Sequence, residues 1–355
     1  MTQQTDIKIL GIESSCDETA ASIVSGDREI LSNIVSSQIK DHERFGGVVP
    51  EIAARAHMEQ IELIVDMALK DAEMTLDDID GVAATCGPGL IGGVIVGMMA
   101  GKTIAAMKNK PFIGVNHLEG HVLSPRLSDG MPFPYLVLLV SGAHTQILIA
   151  HDLRDYELLG TTLDDAVGEC FDKVGRMLGL PFPGGKYVAE LAAQCDDRKA
   201  AAQKFQLPRP LKGRAGCDFS FSGLKTAVLR HITNDMSQND KIMLAAAMED
   251  AVADVMVDRV KHAIEIFKDH YPDKTQPHIV SGGGVAANIT IKKRLTDLTD
   301  THDMIFTAPP AHLCTDNGAM IAWAGVERLK RGLIDDMSTK ARPRWPLQEL
   351  KKEAK

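Results

Sequence analysis

The chain has 355 residues, 45% hydrophobic and 25% charged, with a formal net charge of −9. That length suits two packed lobes or one large duplicated domain, and thirty glycines with only 5% aromatics favour α/β architecture. The acidic balance excludes a protein coated in basic surface, so any contact with nucleic acid must be local or shared with a partner.

The start, "MTQQTDIKIL", has neither the basic opening nor the long apolar run of a signal peptide. No stretch reaches the roughly eighteen uninterrupted apolar residues that span a bilayer. The run 94–106, broken by Gly97, Gly101 and Lys102, reads as a buried helix. Six scattered cysteines form no C-x-x-C pair, which fits a reducing compartment. The expectation is a cytoplasmic protein with no membrane segment.

The first element, residues 7–35, is an apolar strand that turns at Cys16, Asp17 and Glu18 and returns as "TAASIVS". Asp17 and Glu18 could do acid–base work there, or simply be turn residues. A helical segment covers roughly 50–71. Then "DGVAATCGPGLIGGVIVGMMAGKTIAAMKNKPFIGVNH" reads as strand, glycine loop, helix, strand. Its "GMMAGKT" resembles a phosphate loop but is one residue short between the glycines and lies inside the helix.

After the strand "FIGVN" comes "HLEGH", with His117 and His121 four residues apart. That spacing puts both imidazoles on one helix face, where they could share a metal ion or be ordinary helix histidines. A zinc protease needs its acid directly after the first histidine; here that place is Leu118, and Glu119 falls on another side.

The second half repeats the pattern. Residues 135–160 form another hairpin, and "SGAHT" at its turn could present backbone N–H groups to an anion, or be a plain turn. The helical stretch 163–179 carries Asp165, Glu169 and Asp172 on one face, normally a solvated arrangement. The turn "PFPGGKY" folds Gly184 and Gly185 back toward that helix, so that one carboxylate could accept both hydroxyls of a ribose. A long helix, roughly 240–269, starts at a capping Asp240. Residues 278–310 again read strand, glycine loop (282–284, then Asn288), helix, strand. "PPAHLCTDNG" follows and holds Asp316, either a third metal ligand or the cap of the helix after it.

This duplication implies lobes at 1–130 and 131–335 and a basic tail at 336–355. The arrangement is that of the actin, hexokinase and Hsp70-like ATPase fold, with an interlobe cleft. The repeat places the loop holding His117 and the loop holding Asp316 on opposite lips of that cleft. Positive charge concentrates in 204–214 and 340–355, so Lys212, Arg214, Arg342 and Arg344 are candidates for RNA phosphate contact.

The ordered motifs "GIESSCDETA", "GGVVPEIAARAH", "GPGLIGG", "NHLEGH", "LLVSGAHTQ", "LDDAVGECFDK", "DFSFSGLKTAV", "GGVAAN" and "CTDNGAMIA" cover essentially residues 7–346. The chain thereby closely resembles the bacterial and organellar tRNA threonylcarbamoyltransferases, once labelled O-sialoglycoprotein endopeptidases. The resemblance implies transfer of threonylcarbamoyl from threonylcarbamoyl-AMP to N6 of adenosine 37 in tRNAs reading codons that begin with A, with release of AMP. It implies one divalent ion, Fe2+ or else Zn2+, on His117, His121 and Asp316. Val140, Ser141, Gly142, Ala143, His144, Asp172, Gly185 and Asn288 would line the adenylate pocket, and no general base is assigned. A shorter paralogous subunit and a small ATPase are the implied partners; the helix surface near 94–107 is either a site for the paralogue or part of the core. Two departures stand out: Ala143 where the family has glycine, and Lys186 where it has proline. The competing readings are a metalloprotease and an Hsp70-type switch; misplaced Glu119 counts against the first, and the histidine pair against the second.

Overall fold

The structure, a computed structural model, describes residues 7–284 and 288–353, so 285–287 of the glycine loop lie outside it, as do the first six and last two residues. The first half runs β1 (Lys8–Glu13), β2 (Glu18–Ser25), β3 (Ile30–Ser37), α1 (Ile39–Glu43), α2 (Pro50–Asp71), β4 (Gly81–Gly87), α3 (Ile91–Lys108), β5 (Phe112–Asn116) and α4 (His117–Asp129). Next come β6 (Tyr135–Val140), β7 (Thr145–Asp152), β8 (Asp155–Thr161), α5 (Val167–Met177), α6 (Gly184–Ala192), α7 (Arg198–Phe205), α8 (Ser222–His231) and α9 (Gln238–His270). The chain closes with β9 (His278–Gly282), α10 (Ile289–Asp300), β10 (Ile305–Thr307), α11 (Ala311–Cys314), α12 (Gly318–Lys330) and α13 (Leu350–Glu353).

Both sheets have five strands in one order, β3-β2-β1-β4-β5 and β10-β9-β6-β7-β8, so β6 to β10 repeat β1 to β5. In the first, β1, β4 and β5 are parallel while β2 and β3 add an antiparallel meander. In the second, β6 pairs antiparallel with β7 and parallel with β9, and β9 with β10. The central strands are apolar and buried on both faces, as strands covered by helices on each side must be. The protein is a duplicated α/β chain.

It divides into two units, but not at one point. The first holds Met1–Phe133, Asp152–Tyr156 and Pro309–Lys355; the second holds Pro134–His151 and Glu157–Ala308. The expected boundaries need correction here, because both the segment from Pro309 and the basic tail pack in the first unit. The cause is α12, buried along β1, β2 and β4. Its backbone comes so close that a Cβ on Gly11 would lie 2.3 Å from the Ala322 nitrogen, and one on Gly318 2.6 Å from the Ala21 carbonyl carbon. The tail follows: Arg342 N–H donates to the Cys86 carbonyl (2.7 Å), and Trp345, Leu347 and Leu350 are buried.

Other differences are local. α9 begins two residues early because Ser237, not Asp240, caps it, its hydroxyl accepting from the Asp240 N–H. Asp165 precedes α5 instead of sharing its face and pairs with Lys173 and Lys225. α3 is not a buried helix. Gly93, Gly97 and Gly101 let one face press on α2, β1 and β4, while Ile95, Met99 and Met107 are 44%, 49% and 75% exposed. It is long and apolar enough to cross a membrane by composition, with 33% of it buried.

Candidate functional site

Parallel strands end together on one edge of the first sheet, the place where α/β folds present ligands. Glu13 ends β1, Thr85 is near the end of β4, and His117 follows β5 as the first residue of α4. Asn116 caps that helix by accepting from Leu118 and Glu119 N–H, and its amide donates to the Trp345 carbonyl (2.9 Å). The first turn bearing His117 is therefore tied down at its origin, and His121 follows one turn later.

Asp316 completes the group. His121 Nε2 lies 3.0 Å and His117 Nε2 3.5 Å from Asp316 Oδ1, and the three ligand atoms fall within 4.8 Å of one another. The capping duty that competes for an aspartate here belongs to its neighbour: Asn317 accepts from the Met320 N–H (2.9 Å) and Asp316 faces the histidines. All three belong to the first unit, which corrects the expectation of opposite lips; α12 carries Asp316 to α4. Two imidazoles and a carboxylate fit a divalent transition metal with coordination positions left open.

Burial and neighbouring charges act together on the group. Burial alone would depress His117, but the carboxylates of Asp316 and Glu13 outweigh it and raise its pKa to about 9. Burial would raise Glu13, yet His117 and a hydrogen bond from Ser15 hold its carboxyl below the usual range. Burial, with Asp316 and Asp17 next, pushes Glu18 up to about 10, so as it stands it is an acid. The turn carrying Cys16 to Glu18 is braced by buried His57, whose Nδ1 meets the Thr19 hydroxyl (2.8 Å) and whose Nε2 meets the Cys16 carbonyl (3.1 Å). Glu119 points elsewhere: it is fully buried and accepts from Tyr156 Oη at 2.9 Å. It cannot serve as base to a metal-bound water, which removes the protease arrangement.

The adenylate candidates all lie in the second unit. Val140 ends β6 beside β9, and a Cβ on Gly283, just past β9 at φ +94°, would lie 2.5 Å from the Val140 carbonyl oxygen. Ser141 Oγ accepts from the Ala143 (3.3 Å) and His144 (3.1 Å) N–H groups, so the turn closes on its own serine. Ala143 and Gly142 are exposed, and Ala143 takes no positive φ, so the alanine is accommodated without strain. Asp172 on α5 accepts from the Gly185 N–H (3.2 Å) at the start of α6, the fold-back expected of "PFPGGKY". Asn288 caps α10 and donates to buried Glu249 (2.7 Å). Lys186 is exposed, 3.8 Å from Glu190.

Sequence reasoning missed Glu13, Thr85 and His57. Glu13 had a signal, a charge ending an otherwise apolar strand; His57 had none beyond a lone histidine on α2.

A family model described as tRNA N6-adenosine threonylcarbamoyltransferase matches residues 29–323. Proteins of that name from Brucella canis and Brucella abortus are each 54% identical over 349 residues, covering 97% of this chain and 96% of the relative. Among solved structures, HypF of T. kodakarensis matches with TM-score 0.60 at 12% identity, covering 92% of this chain and 48% of that one. Component A of the Acidaminococcus fermentans (R)-2-hydroxyglutaryl-CoA dehydratase matches at TM-score 0.53 and 14% identity, covering 92% and 99%. These two show likeness of fold alone.

Proposed function

The chain belongs to the tRNA N6-adenosine threonylcarbamoyltransferase family, and on that premise we propose that it transfers threonylcarbamoyl from threonylcarbamoyl-AMP to N6 of adenosine 37. N6 attacks the carbamoyl carbon, the bond from that carbon to the phosphate oxygen breaks, AMP leaves, and N6 gives up a proton. The observation that carries the metal-dependent form of this reading is the convergence of His117, His121 and Asp316 on one point. A divalent ion held there, Fe2+ or else Zn2+, would supply Lewis-acid polarisation of the donor's oxygens. On the chain's side, Val140 to His144, Asp172, Gly185 and Asn288 receive the adenylate, with Asp172 accepting from the ribose. The direct test is incubation of the purified, metal-loaded protein and its accessory subunits with threonylcarbamoyl-AMP and tRNA; unmodified adenosine throughout would reject the reading.

Metal uptake must displace the proton that the two carboxylates favour on His117, whose pKa stands at about 9. Apparent affinity therefore rises with pH, by up to about tenfold per unit below that value. Zinc titrations from about pH 6.5 to about pH 8.5 should show this rise together with proton release; a flat profile would contradict it.

For tRNA, the basic segments are less free than their sequence suggests. Lys204 pairs with Asp240 (2.6 Å), Arg209 with Asp254 (3.0 Å) and Arg342 with Glu349, and Lys212 stands 3.8 Å from Asp254. Arg214 and Arg344 are exposed and carry the proposal furthest. Replacing both by alanine should weaken tRNA binding and lower the salt slope by roughly 2, as expected for two lost phosphate contacts. Titrations at two salt concentrations, with and without accessory subunits, check this; wild-type binding in every condition would exclude these contacts. The shorter paralogue and small ATPase remain the proposed partners, and the exposed apolar residues of α3, with Met58, Leu63 and Met67 of α2, are the surface proposed for the paralogue.

A further inference from the structure

His117 and His121 are not held alike. Among the described residues, the Nδ1 of His121 is buried without a hydrogen-bond partner. The Nδ1 of His117, on the far side of the ring from Asp316, lies 3.1 Å from Glu13 Oε2 and 3.1 Å from the Ser15 hydroxyl. Glu13 is fully buried, and both its oxygens are fixed: Oε1 accepts from the Ser15 N–H (2.6 Å) and Oε2 from the Thr85 hydroxyl (2.5 Å). A carboxylate in such a place is costly unless its charge is used, and between a carboxylate and a hydroxyl the carboxylate is the stronger acceptor for an imidazole N–H.

We propose that Glu13 is a positioning residue for the metal: by accepting from Nδ1 it fixes the His117 tautomer and ring plane that turn Nε2 toward Asp316. Thr85 in turn holds the Glu13 carboxylate. His117 is thus the anchored ligand and His121 the adaptable one, a division that membership of the family does not itself supply. The inference rests on the metal reading above and extends it to residues on β1 and β4. Glu13 is not itself a ligand, because it meets the nitrogen that faces away from the other two donors.

The test is a cobalt(II) titration of the full-length protein, with affinity read by chelator competition and geometry by the visible d–d absorption. Glu13→Gln keeps the shape but not the charge, and it should bind cobalt about 10- to 100-fold more weakly, with a shifted band. Thr85→Val, which keeps Glu13 but frees one of its oxygens, should move both readouts the same way by less, and it decides the matter if Glu13→Gln does not fold. Wild-type cobalt affinity and spectrum in folded Glu13→Gln would overturn the inference, even if its melting temperature fell, because that pattern marks a merely structural carboxylate. If His121→Ala bound cobalt like wild type, the metal reading itself would fail and take this inference with it. Loss in His121→Ala but not in Glu13→Gln refutes the role of Glu13 alone.

Discussion

His121→Ala should lose its metal and nearly all transfer activity. The side chain supplies one of three donors, with Nε2 3.0 Å from Asp316 Oδ1. Loss of a ligand costs more than the ~10- to 100-fold typical of losing a residue behind the ligands, so metal affinity should fall by at least about 100-fold. The change is otherwise mild: among the described residues Nδ1 has no hydrogen-bond partner, so alanine gives up little of the surrounding network. Elemental analysis of the purified variant checks the first half of the expectation, and transfer to tRNA the second. Full occupancy in His121→Ala would place the metal elsewhere.

The second large effect is expected at Asp172. A carboxylate accepting from ribose hydroxyls contributes hydrogen bonds to a charged group, and its loss should cost about 2–3 kcal/mol. That is roughly a 30- to 140-fold loss of affinity for a stable threonylcarbamoyl-adenylate analogue, measurable by calorimetry. Asp172 also holds the Gly185 N–H at the start of α6, so Asp172→Asn, which keeps one acceptor oxygen, should lose less than Asp172→Ala. Equal affinity in Asp172→Ala and wild type would move the ribose to another residue.

Much of the fold was legible because its signals are local. The helix at 50–71 and the strand "FIGVN" appear with those bounds, since Pro50 can open a helix and the strand is a short run of apolar residues and glycine between Pro111 and the capping Asn116. The repeat of hairpin, helix, strand, glycine loop, helix and strand along the two halves was legible for the same reason. What could not be read was the return of α12 to the first unit, which depends on glycine contacts between Gly11 and Ala322, more than three hundred residues apart. That return decided which unit Asp316 joined, and the neighbouring Asn317 decided that Asp316 was not the cap. The neutralisation of the basic segment was hidden likewise, because Asp240 and Asp254 lie on α9, far along the chain from Lys204 and Arg209. Local patterns name candidate residues; long-range packing decides which of them meet.

The central claim, that this chain places threonylcarbamoyl on tRNA adenosine, is tested most directly by nucleoside analysis of tRNA from its source cells. The chain is depleted, then resupplied as wild type or as His121→Ala. The account predicts that threonylcarbamoyladenosine disappears on depletion, returns with wild type and stays absent with His121→Ala, while other modified nucleosides hold steady. An undiminished level of threonylcarbamoyladenosine in depleted cells would contradict it.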